Sequence, residues 1–165
     1  MDIRKLEREL TGSILLVTQD ATVNVYFATR HGEHPPEPIN GDSGKSRAIW
    51  NFAKLLNDRA MAVDTVDLAQ EGQVPDNCAL LVIAGPQADY DESEINAIRN
   101  YLNGGGSVLA LIDPPLKPEE RLLRLRSLFT EYGLNVSDEI LADYDSNTAK
   151  GSVFVPVIHN YNTLS

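Results

Sequence analysis

The chain has 165 residues, a formal net charge of −10 and a single cysteine, Cys78. That length supports one α/β domain with a real core rather than two. The acidic balance excludes a phosphate-backbone partner, whose affinity comes mainly from Lys and Arg neutralising phosphates, and one cysteine excludes an intrachain disulfide or a thiolate metal cluster.

In chain order, Ile3, Leu6, Leu10, Ile14 and Val17 recur at spacings of three and four, which predicts an amphipathic helix over residues 2–18. Gly12 weakens that helix, and a strand over Ser13–Thr18 is the alternative. Val23–Thr29 is the first strand. His34 to Gly44 holds three prolines and two glycines and reads as a loop. Ser43 or Asp42 then caps a helix with Ile49, Phe52, Ala53 and Leu56 on one face.

Ala62–Leu68 is a short strand and Ala79–Ala84 a fully apolar one. Cys78, just before that run, reads as a small buried hydrophobe. Asp91 and Glu94 form a capping box opening a helix with Ile95, Ile98, Tyr101 and Leu102 inward, ended by Gly104-Gly105-Gly106. Ser107–Ile112 is the third apolar strand. Pro118 suits the first turn of a further helix, whose Leu122, Leu125, Leu128, Phe129 and Tyr132 make a core stripe ended by Gly133. Ile140–Ala142 and Val153–Ile158 read as strands. Strands alternating with helices predict a three-layer α/β fold with a mainly parallel sheet, flavodoxin-like or glutamine-amidotransferase-like. Its centre is expected at Val23–Thr29, Ala79–Ala84 and Ser107–Ile112, the runs apolar enough to be covered on both faces.

The most informative stretch is VYFATRHGE, residues 25–33, where an apolar run ends in Arg30-His31-Gly32-Glu33. Ala84-Gly85-Pro86 and Asp113-Pro114-Pro115 end the other two apolar runs. Ligands of open α/β sheets bind where strands end, so Arg30, His31, Glu33, Gly85 and Asp113 are the candidate ligand-binding residues. Arg30 and His31 offer donors, Glu33 and Asp113 acceptors, a mixture suited to a polyhydroxyl or peptide-like ligand. His31, Glu33 and Asp113 are expected to border one pocket. As metal ligands, His31, Glu33 and His34 lie too close together in one loop to converge without a further group, and no metal or cofactor is expected.

Gly44-Lys45-Ser46 imitates the end of a P-loop, but the required earlier glycine is Ile39 and no strand precedes it. Nucleotide binding is therefore not expected. The strand order also suggests an amidotransferase elbow after Gly105-Gly106, where the nucleophile position is Ile112, which cannot attack a carbonyl. An enzyme using a His31/Asp113 pair is the alternative reading.

VYFATRHGE, then LLVIAGP, then an acidic-capped helix ending YLNGGGSVLALIDPP, then a leucine-rich helix ending EYGL, together resemble the GldG-type auxiliary component of bacterial ABC transport systems. The helix ending ILLVT fits as well, and the similarity covers roughly residues 5–145. The resemblance implies a non-catalytic binding or assembly domain working with ABC permease and ATPase subunits. It also implies a link to gliding motility, a kinship with a domain of intraflagellar-transport proteins, and carbohydrate as one ligand class. The family's His-Gly-Glu signature maps onto His31, Gly32 and Glu33, its Ala-Gly-Pro turn onto Ala84, Gly85 and Pro86, and its Asp-Pro turn onto Asp113 and Pro114. Arg30 stands where the family has glycine, and the Pro-rich insertion after Glu33 is a second departure.

No run approaches the roughly 18 apolar residues of a membrane span, and MDIRKLEREL is too charged for a signal peptide. Both ends nevertheless read as cuts through a longer chain. Taken alone the chain reads as cytosolic; the resemblance implies instead a single extracytoplasmic (periplasmic) domain, residues 1–165, of an inner-membrane protein, open to oligomer formation.

Overall fold

The structure, a computed structural model, describes residues 22–37, 45–115, 117 and 121–137. The expected helix or strand before residue 19, the caps at Asp42 and Ser43, the helix start at Pro118, and the strands at Ile140–Ala142 and Val153–Ile158 lie outside the described residues. Among the described residues four strands form one sheet: β1 (Asn24–Ala28), β2 (Ala62–Val66), β3 (Cys78–Ala84) and β4 (Val108–Leu111). Their order is β2-β1-β3-β4 and every pairing is parallel. Helix α1 (Lys45–Asn57) joins β1 to β2, the short α2 (Leu68–Glu71) follows β2, α3 (Glu92–Asn103) joins β3 to β4, and α4 (Leu123–Glu131) follows β4.

The two-residue period of the strands divides the core in two. Val25 and Phe27 of β1 and Val82 and Ala84 of β3 pack with Ile49 and Ala53 of α1. Phe27 meets Phe52 edge-on at 6.3 Å between centroids. On the other face, Ala28, Leu81 and Ile83 pack with Ile95 and Ile98 of α3 and Leu125, Leu128 and Phe129 of α4. The three-layer α/β reading therefore holds. The chain leaves β1 toward β2 and leaves β3 toward β4, opposite directions along the sheet. Right-handed crossovers then send α1 and α3 to opposite faces, which makes the C-terminal ends of β1 and β3 a topological switch point.

Two expectations are corrected. Among the described residues the strand expected at the centre from Ser107–Ile112, β4, borders the sheet instead. Val108, Leu109 and Ala110 are only partly buried, and Leu111 is 40% exposed. Tyr132 does not join the α4 stripe, because the helix stops at Glu131. Its ring is exposed and its hydroxyl donates to Asn103 Oδ1 at 3.0 Å.

Candidate functional site

After β1 the chain turns through two left-handed residues, Arg30 (φ 95°) and Gly32 (φ 81°), and crosses the end of β3. His34 N–H donates to Ala84 O at 2.8 Å, and the His31 carbonyl accepts from Gln87 N and Ala88 N at 2.7 and 3.0 Å. These bonds set the His31 ring against Tyr90, with centroids 4.2 Å apart and planes 31° apart.

Around that stack lie two carboxylates, each with a side chain only 1% exposed. Glu33 accepts the His31 backbone N–H at 2.7 Å through Oε2 and the Tyr90 hydroxyl through Oε1. His31 Nδ1 is 3.6 Å from Glu33 Oε1, and Nε2 is 3.1 Å from Glu94 Oε2. The same Glu94 oxygen accepts Asp91 N–H at 2.8 Å, closing the capping box expected from the sequence. Burial, reinforced by the charge and hydrogen bond of Glu33, holds the Tyr90 phenol well above its ordinary value. Tyr90 therefore remains a donor through the physiological range. The network thus ties the loop after β1 to the first turn of α3.

The loop before α3 also starts α4. Leu122, at the head of that helix, supplies no side-chain cap. Asp89 does so instead, accepting from Arg124 N at 2.8 Å and Leu125 N at 3.3 Å.

The candidate residues separate into three groups along this edge. His31 and Glu33 share the buried network. Gly85 and Asp113 gather at His34, whose Nε2 is 4.0 Å from Asp113 Oδ2. Gly85 has φ +63°, and a Cβ there would stand 3.0 Å from His34 Cδ2 and 3.4 Å from Asp113 Oδ2. Arg30 pairs with Asp67 at 3.2 Å, across from the β2 end, while Asp67 caps α2 through Ala69 N and Gln70 N. Sequence reasoning missed Tyr90, Glu94 as a partner of His31, and Asp89. The one available signal was Tyr90's place immediately before a helix cap, a position that commonly packs back onto its helix.

Chemically, the edge offers hydrogen-bond donors and acceptors fixed by their neighbours. Among the described residues no group of three or more His, Cys, Asp or Glu could hold a metal ion. Cys78, a buried thiol, begins β3 at the opposite end of the sheet. On the rim, the Arg30 and Asp113 side chains are 55% and 56% exposed, whereas Glu33 is sealed.

Residues 22–153 match the model of a family of auxiliary proteins described as ABC-type uncharacterized transport system. No curated protein matches the chain, and no solved structure does.

Proposed function

The chain belongs to the auxiliary family of ABC-type transport systems, and from that premise we propose that it is a non-catalytic binding or assembly module facing the extracytoplasmic side. It works beside the permease and ATPase of its parent system. The observation that carries this reading is the division of labour at the switch point. The groups able to do acid–base chemistry, His31, Glu33, Tyr90 and Glu94, are engaged in holding loops together. Arg30, His34 and Asp113 form the outer rim, and a rim of mixed charge suits a polar ligand or a partner loop. Polyhydroxyl ligands, carbohydrate among them, fit its donors and acceptors. A gliding-motility system is the narrower version of the same reading, supported by the GldG-like order of motifs.

The test is affinity co-purification of the full parent protein with its neighbouring permease and ATPase subunits. Recovery should fall at least about tenfold when Arg30→Glu and Asp113→Lys reverse the rim charges, with the amide spectrum of the domain unchanged. A glycan panel checks the ligand arm, where binding should be lost in the same variants. Undiminished recovery and binding in both variants would remove the rim from the mechanism. Turnover of an ester or glycoside that disappears in His31→Gln would replace the reading with an enzyme.

A further inference from the structure

The buried network at the switch point does not close on itself. Glu33 and Glu94, each 1% exposed, flank the His31 ring, one near Nδ1 and the other near Nε2. Four donors face these carboxylates: the His31 backbone N–H and the Tyr90 hydroxyl on Glu33, the Asp91 N–H and the ring Nε2 on Glu94. Two buried atoms are left over among the described residues, His31 Nδ1 and Glu94 Oε1. Buried polar atoms without partners are uncommon and call for a reason.

The charges around the ring are one-sided. Among the described residues no lysine or arginine pairs with Glu33 or Glu94. Asp91, the cap of α3, adds a third carboxylate within electrostatic reach of the ring, and Asp89 a fourth beside Tyr90. From α4, Arg124 reaches the Tyr90 carbonyl at 3.4 Å and Asp89 at 3.9 Å. The Tyr90 phenol, stacked on the ring, keeps its proton. Imidazole is the side chain whose charge ordinarily changes between pH 5 and 8.

Hydrogen-bond stoichiometry says what a proton does here. A neutral imidazole donates from one nitrogen and accepts at the other, while an imidazolium donates from both. With its proton on Nε2, 3.1 Å from Glu94, a neutral ring turns the Nδ1 lone pair toward Glu33 Oε1 at 3.6 Å. Two acceptors then oppose each other away from water, at a separation too long for a hydrogen bond. A second proton makes Nδ1 a donor and supplies the cation that Glu33 lacks. Arg30 and His34 ride on the same loop, so its closure also sets the shape of the rim.

We propose that His31 is a proton-operated latch between the loop after β1 and the first turn of α3, closed when the ring carries two protons and loosened when it carries one. The latch adds stability in acid and loses it as pH rises and the ring gives up its second proton. Ring-nitrogen spectra of the histidine-labelled chain between pH 5 and 8 read this directly: Nδ1 should lose its proton on the way up while Nε2 keeps its own. In denaturant curves, the unfolding constant should rise between pH 5.5 and 8 by at least about threefold more in the parent than in His31→Gln. His34→Gln should keep that rise, which separates the two rings. Glu33→Gln sets an amide donor opposite Nδ1 and should abolish or reverse it. The spectra need no variant, so they decide the matter even if Glu33→Gln does not fold. A ring that gives up the Nε2 proton first, or an equal rise in the parent and His31→Gln, would overturn the proposal.

Discussion

Gly85 tolerates no side chain without moving its neighbours. Its backbone is left-handed, and a Cβ would press on His34 at 3.0 Å. Gly85→Ala should therefore lower stability by about 1–3 kcal/mol, read as a denaturant midpoint, and shift the His34 ring resonances. Buried Tyr90 and half-buried Tyr101 make a pH prediction with a definite sign. Tyr90 is raised by burial and by Glu33, and Tyr101 is pushed up to about 12 by burial and its contact with Cys78. In the unfolded chain both phenols ionise near 10, so the folded state keeps protons that the unfolded state loses. The stability they contribute is present below pH 10 and declines as pH rises toward 12. Absorbance titration at 295 nm should show a late-ionising fraction that shrinks in Tyr90→Phe and Tyr101→Phe. At this scale the sequence allowed Arg30, His31, Glu33, Gly85 and Asp113 to be picked, because polar residues ending apolar runs stand out. It could not show that Glu33 bonds a tyrosine 57 positions away, because no local pattern encodes that distance.

Helices α3 and α4 differ in how they are told where to begin. The start of α3 was legible because its cap is local: Asp91 accepts from Ser93 N and Glu94 N, and Glu94 reaches back. The hydrogen bonds from Ser93 and from the Glu94 backbone hold the Asp91 carboxyl below its ordinary value. Its contribution is present above that ordinary value and fades as pH falls through the lower folded one. Asp91→Ala should thus be less stable than the parent at neutral pH, with the gap closing in acid, as thermal melts across pH would record. The start of α4 at Leu123 was not legible, because its cap comes from Asp89, 35 residues upstream of Arg124, and no pattern local to the helix encodes it. Asp89→Ala should cost about 0.5–2 kcal/mol and fray the first turn of α4, seen as helical amide shifts lost from Arg124 and Leu125.

Across the molecule, β3 is the shared wall of both core layers, with Leu81 facing α3 and α4 and Val82 facing α1. Leu81→Ala should destabilise by about 2–5 kcal/mol. Calorimetry should still show one transition, since neither layer keeps a complete face without the strand. The parallel α/β architecture was legible in the alternation of elements and the apolar runs. The strand order of the described sheet was not, because β4 is as apolar in composition as β3, and composition does not say which strands pair. The backbone bonds lacing His31, His34, Gln87 and Ala88 across the ends of β1 and β3 have a consequence for how the molecule breathes. Surface loops ordinarily open at little cost, apart from the core. Here the amides of His34 and Gln87 are released only when the two strand-end loops separate, which also uncovers Glu33 and Glu94. Their deuterium uptake should accordingly be as slow as that of Leu81 in mid-sheet. A partner that gripped this edge would find its shape already set, with little ordering entropy left to lose.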